Sequence, residues 1–245
     1  MNKVILCEGK TDAILLSYYL GKMYNWQPVR GKLPKELQSL DIRGKNKSQY
    51  THWYKNGEDS LLICAVDGCN NFANFYRENL KEPIFLTDAF HKLVVITDSD
   101  NNDDNTITDR LHREFDGEIP RFEVNQWVTY RYQNSFGKES TLELLLIIIP
   151  MDKQGALETV LLDAISEDAY NKVIVDKCMT FVDEIRPMAE RYITSDRLAL
   201  KSKLGTTFAI QSPEKVFDFI DKQLQEVSWE ESRTLRECFE MLEGL

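Results

Sequence analysis

The sequence has no apolar run long enough to cross a bilayer. Its longest, Leu144 to Pro150, falls far short of the ~18–20 residues a spanning helix needs. No leader is expected either. MNKVILCEGKTD brings charge in from Glu8 onward, which fits neither a signal peptide nor an anchor. Paired cysteines are missing: Cys7, Cys64, Cys69, Cys178 and Cys238 are odd in number and form no Cys-x-x-Cys. That argues against a disulfide scaffold and against a zinc module. The expectation is a cytoplasmic protein with free thiols and no membrane partner. Positive charge is also short, with 30 Lys plus Arg against 40 Asp plus Glu, a net charge of −10. A general nucleic-acid coat needs the opposite balance, because phosphate binding draws on Lys and Arg. There is no fixed-period repeat and no low-complexity segment, so solenoids and disordered tails are set aside.

What is present is a chain of 245 residues, 42% hydrophobic and 29% charged, enough to bury a core in one large domain or two small ones. Apolar runs at residues 3–8, 60–66 and 92–97 read as buried strands. A further short strand is expected at 39–43. Helical spacing covers 11–23, 71–80 and 106–115, with Thr11 or Asp12 as a cap. Strands alternating with helices predict a parallel sheet covered on both faces. The pattern then changes: residues 120–132 alternate, Asn134 to Gly137 makes a turn, and 141–149 is another strand, an antiparallel addition to the sheet. Beyond Pro150 the apolar spacing is helical over 155–165, 167–192, 197–210, 213–227 and 230–242. The expected organisation is an α/β domain over residues 1–150 and a helical region over 151–245 packed on it.

Three expected strand ends carry acids or glycines: Glu8-Gly9, Asp67-Gly68 and Asp98-Ser99-Asp100. In a parallel sheet these ends share one edge, where ligands bind. If their strands are neighbours, Glu8 meets Asp98 and Asp100. Carboxylates so close repel one another unless a cation lies between them, and Mg²⁺ or Mn²⁺ suits hard oxygen donors. Alternation along an extended segment would turn Asp98 and Asp100 to the same side. Turns after strands also favour Asp, Asn and Gly for local hydrogen bonding, and an isolated Asp-x-Asp carries no more than that.

The segments VILCEGKTDAILL, SLLICAVDG and KLVVITDSD together resemble the Toprim domain shared by topoisomerases, DnaG-type primases and OLD-family nucleases. The likeness covers about the first 115 residues. It implies a Rossmann-like sheet, a general acid/base or metal-linked role for Glu8, and Mg²⁺ held by Asp98 and Asp100. Asp12, at the second acid of the Glu-Gly-x-x-Asp pattern, would support the site together with Gly9 and Gly68. The closest likeness is to stand-alone bacterial Toprim-like proteins of about this size. It adds the turn Gly68-Cys69-Asn70-Asn71, the segment Gly155-Ala156-Leu157-Glu158 and the segment Lys201-Ser202-Lys203-Leu204. By that analogy Glu158 completes a second metal position, and Lys201 or Lys203 neutralises charge on a phosphoryl oxygen. A surface-helix lysine and a helix-start glutamate explain the same residues equally well.

Toprim chemistry is phosphoryl transfer. A topoisomerase needs a tyrosine in a separate gate domain, for which the chain is too short, and a primase often carries a zinc module, which the cysteine spacing does not supply. Metal-dependent hydrolysis of nucleic-acid phosphodiesters is left, or a non-catalytic Toprim-like protein that binds a nucleotide or a partner. A transferase using Asp-x-Asp on a sugar nucleotide is a third reading. For nucleic acid, residues 30–57 hold seven basic residues against two acidic ones, including Arg43, Lys45 and Lys47, with Tyr50, His52, Trp53 and Tyr54 among them. Such a strip suits a strand-binding groove, and equally a solvated connection. Gly9-Lys10-Thr11 matches the end of a P-loop, but residue 4 is Val where that motif needs Gly. His52, His91 and His112 have no metal or triad context. The sequence leaves a homo-oligomer open.

Overall fold

In the computed structural model of the chain, residues 1–30, 37, 40, 42, 49–151 and 153–215 are described. The chain forms two compact units, Met1–Val160 and Leu161–Leu245. The first is built on a seven-stranded sheet in the order β2-β3-β4-β1-β5-β7-β6. Its strands are β1 (Asn2–Cys7), β2 (Gln27–Pro28), β3 (Tyr50–Asn56), β4 (Asp59–Ala65), β5 (Lys92–Asp98), β6 (Val128–Gln133) and β7 (Glu139–Ile149). The inner four, β4-β1-β5-β7, are parallel, and β2, β3 and β6 join antiparallel at the two sides. The fold is therefore mixed α/β with a helical C-terminal region.

The inner strands are continuous aliphatic runs because both their faces are covered. Val4 and Leu6 of β1 point to one face with Leu62, Cys64, Leu93 and Val95. There they meet Phe72, Phe75 and Tyr76 of α2 (Phe72–Asn79), Ile84 of α3 (Lys81–Thr87), and Ile107, Leu111 and Phe115 of α4 (Asp104–Phe115). Ile5 and Cys7 point to the other face with Ile63, Ala65, Val94 and Ile96, where α1 (Lys10–Tyr24) contributes Ala13. At roughly 1.5–3 kcal/mol per buried large aliphatic side chain, these two layers supply most of the drive to fold.

The edges depart from the sequence expectation. β3 was expected as part of a basic connection, yet it pairs along its whole length with β4, from Tyr50↔Ala65 to Asn56↔Asp59. A two-residue turn joins the two strands, with φ of +58° at Gly57, a conformation glycine adopts freely. The alternating stretch 120–132 becomes a strand only from Val128, after a turn marked by the Glu123–Gln126 bridge. Of the two strands expected as an antiparallel addition after residue 120, β7 instead joins as the fourth parallel strand, and β6 pairs antiparallel with it. The strand expected at 39–43 lies outside the described residues except for Leu40 and Ile42, which are in no strand.

In the second unit, α5 (Leu157–Ser166) runs in from the first unit, followed by α6 (Ala169–Ile185) and α7 (Asp196–Gln211). The side chains of Asp168 and Ser195 cap α6 and α7 by accepting from Asn171 N–H and Leu198 N–H. Leu162, Val175 and Leu204 form one apolar cluster, and Val182, Ile193 and Ala199 another. The helix expected over 167–192 stops at Ile185, where Arg186–Met188 tightens into a 3₁₀ turn around Pro187. The helices expected over 213–227 and 230–242 lie outside the described residues, apart from 213–215. Among the described residues no helix is long and apolar enough to cross a membrane.

Candidate functional site

The strand order reverses at β1. Of the parallel strands that follow β1 in the chain, β4 pairs with it on one side and β5 on the other. In open α/β sheets the crevice beyond the carboxyl ends at such a reversal is where ligands bind. Glu8 is the first residue past β1, and Asp98 is the last of β5.

The register places these two side by side. Cys7 pairs with Ile96, so the Glu8 side chain reaches across to the next residues of β5. Its Oε1 accepts from the Thr97 hydroxyl and from the Asp98 N–H at 3.0 Å. Glu8 is 4% and Asp98 7% exposed. The Glu8 carbonyl in turn accepts from Asp67 N–H and Gly68 N–H, both at 2.9 Å, tying the end of β1 to the turn after β4. Gly68 takes φ of +105° there, which explains glycine at that position. Gly9 has a different reason. A Cβ on it would lie 2.9 Å from Asp12 Oδ2, the oxygen that accepts from Gly9 N–H at 2.8 Å. Glycine thus lets Asp12 fold back over the start of α1.

Carboxylates gathered in so little water disturb one another. Burial pushes Asp98 up to about 8, helped by the charges of Glu8, Asp12 and, least, Asp100, and opposed by a hydrogen bond from Leu157 N–H. Burial also raises Asp12, with Glu8 and Glu158 adding to the shift and backbone N–H bonds opposing it. Glu8, Asp12 and Asp100 thus act on Asp98, and Glu8 and Glu158 on Asp12. Asp100 arrives by a route the alternation argument did not foresee. The chain leaves the extended state there with φ of +48°, and Asp100 N–H donates to the Gly155 carbonyl at 2.7 Å.

The donors are all carboxylate oxygens, the set that suits Mg²⁺ or Mn²⁺, and a cation would relieve the burial and the repulsion that together raise Asp98. Among the described residues, no three His, Cys, Asp or Glu side chains stand as a ready-made metal-holding group. Mg²⁺ makes no such demand, since it takes one or two protein carboxylates and keeps several waters. The residues fit in chemistry, with Glu8 and Asp98 as the adjacent pair.

The remaining expected residues belong to other parts of the chain. Lys201 and Lys203 are on α7 in the second unit, where Lys203 Nζ pairs with Asp183 at 2.8 Å. Arg43, Lys45 and Lys47 lie outside the described residues. The aromatics near them are partly engaged with one another: Tyr50 and His52 stack with centroids 6.1 Å apart, and His52 meets Tyr54 edge-on at 5.1 Å.

Sequence reasoning missed several groups at this edge. Ser99 is 3% exposed and bonds the backbone at Gly155. Leu157 N–H donates to Asp98 Oδ1 at 3.0 Å. Backbone donors leave no residue signature, so no motif could have announced Leu157. Cys69 is half-buried, and burial and Glu8 raise its thiol while Arg110 of α4 opposes the shift.

Residues 2–239 match the family described as protein of unknown function DUF3226, and the chain belongs to that family. No curated protein matches it. Among solved structures it is similar to a hypothetical protein from Pyrococcus horikoshii OT3, at 16% identity over 98% of each chain with a TM-score of 0.46. It is also similar to a protein with unknown function from Thermoplasma acidophilum, at 11% identity over 92% of this chain and 91% of that one, with a TM-score of 0.26.

Proposed function

We propose that this chain is a Toprim-like, divalent-metal-dependent phosphoryl-transfer enzyme that hydrolyses phosphodiesters of nucleic acid. The observation that carries the reading is the meeting of Glu8 with Asp98 at the strand-order reversal, with Asp12, Asp100 and Glu158 adding negative charge. Asp98 and Glu8 would hold Mg²⁺ or Mn²⁺. When bound, such a cation supplies charge neutralisation at a phosphoryl oxygen. Glu8 moves a proton to or from the attacking or leaving oxygen, oriented by Thr97 and the Asp98 N–H. Asp12 holds the start of α1 against the end of β1 through Gly9 N–H. The seven basic residues within 30–57 supply positive charge for a phosphate-bearing substrate, so binding should weaken steeply with salt.

The test is cleavage of labelled single- and double-stranded DNA and RNA in Mg²⁺ or Mn²⁺. Cleavage that falls at least a hundredfold in Glu8→Gln and Asp98→Asn supports the reading. No cleavage of any substrate, or cleavage undiminished in both variants, sinks it.

A further inference from the structure

Asp98 is held from two directions, and only one of them is the neighbouring strand. Its Oδ1 accepts from Leu157 N–H at 3.0 Å, a donor from the first turn of α5 and 59 residues away in sequence. Nothing in β5 fixes where Leu157 lies. A small lock just after Asp98 does. The Ser99 hydroxyl donates to the Gly155 carbonyl at 3.1 Å and accepts from Gly155 N–H at 3.0 Å. Asp100 N–H donates to the same Gly155 carbonyl at 2.7 Å, and Ser99 N–H donates to Ile149 O at 2.8 Å. Gln154 Nε2 adds a bond to Asn101 O at 3.0 Å. Gly155 itself has φ of +152°, and a Cβ there would lie 2.5 Å from Thr159 Oγ1. No bulkier residue passes between Ser99 and α5.

We propose that Ser99 is a positioning residue for the acidic centre. Its hydroxyl clamps Gly155 so that Leu157 N–H fixes one Asp98 oxygen and orients the carboxylate toward an incoming cation. This role rests on the metal-dependent reading above. It follows from geometry: the clamp acts on Gly155, two residues before Leu157, and removing the hydroxyl leaves the Gly155 N–H without its acceptor, so the segment shifts to find another. The amino end of α5 also turns the positive pole of its dipole toward Asp98, through the Leu157 N–H, and the clamp keeps it there.

The test uses the full chain with Ser99→Ala, Ser99→Thr and, from the opposite side of the clamp, Gly155→Ala. Two quantities are read: the exchange rate of the Leu157 amide hydrogen without metal, and the Mn²⁺ dissociation constant. Ser99→Ala is expected to speed Leu157 exchange at least tenfold and to weaken Mn²⁺ at least fivefold, with the Val94 and Val95 amides unchanged. Ser99→Thr, which keeps the hydroxyl, should restore both. Gly155→Ala should repeat the loss if Ser99→Ala does not fold. Leu157 exchange unchanged in Ser99→Ala, or accelerated with Mn²⁺ affinity intact, overturns the proposal. A wild-type chain that binds no Mn²⁺ removes the metal reading and with it the positioning role of Ser99, while the Leu157 exchange still decides whether the clamp exists.

Discussion

Neutralising Asp98 by Asp98→Asn should stabilise the metal-free protein at alkaline pH, although it removes a residue of the proposed site. Asp98 is pushed up to about 8, from the 3.8 of an unperturbed Asp. A raised acid holds its proton in the folded state after the unfolded chain has released it. Below about pH 4 both states are protonated and the effect is absent. Between about pH 4 and pH 8 folding stability falls, by at most ~1.4 kcal/mol per pH unit, and above 8 the loss is complete. Four units set a ceiling of about 5 kcal/mol. Glu8 and Asp12 share the repulsion, so a proton placed on one relieves the others, and about 2–4 kcal/mol is the realistic gain. Asparagine keeps an oxygen for Leu157 N–H, which leaves that bond in place. The assay is urea denaturation from pH 4 to 9 in EDTA. The gain should be near zero at pH 4 and largest above pH 8, and excess Mn²⁺ should shrink or reverse it by stabilising the wild type. A gain that is constant with pH, or a variant no more stable than wild type at pH 8.5, refutes the reasoning.

Other outcomes follow from the same structure. Tyr76 is fully buried, and its hydroxyl finds no hydrogen-bond partner among the described residues, so Tyr76→Phe should be neutral or stabilise by up to ~1 kcal/mol in chemical denaturation. Gly68→Ala forces a side chain onto φ of +105° and should cost about 1–3 kcal/mol, read the same way. Asp59, held down to about 2 by Lys3 and the amino terminus, contributes stability that is present above about pH 4 and lost as pH falls toward 2. Because its side chain is 40% exposed, Asp59→Asn should cost under ~1 kcal/mol at pH 7 and nothing well below pH 2. Leu146→Ala on β7 should cost about 2–5 kcal/mol, since that side chain is wholly buried between the sheet and its helices.

The inner strands were legible because burial on both faces leaves an unbroken aliphatic run, as in Val4–Cys7 and Leu93–Ile96, and their acidic ends followed at once. β3 was hidden by composition. Its lysine and aromatics suggested a nucleic-acid strip, although Asn56-Gly57 ahead of an apolar run is a hairpin signal in its own right. The pairing of Glu8 with Asp98 was anticipated from strand ends alone. The link of Asp98 to Leu157 was not, because a backbone N–H brought from 59 residues away has no pattern in the sequence. Asp100 shows the limit of alternation arguments: a single residue at positive φ breaks the period on which they depend.

The central claim, that the Glu8–Asp98 edge holds a divalent cation, is tested most directly by a crystal soaked in Mn²⁺ and measured for anomalous scattering. The account predicts a peak about 2.0–2.3 Å from a carboxylate oxygen of Asp98 or Glu8, with waters completing the shell. No peak at this edge at millimolar Mn²⁺, with Glu8 still accepting from the Asp98 N–H and Asp98 still held by Leu157, would contradict it.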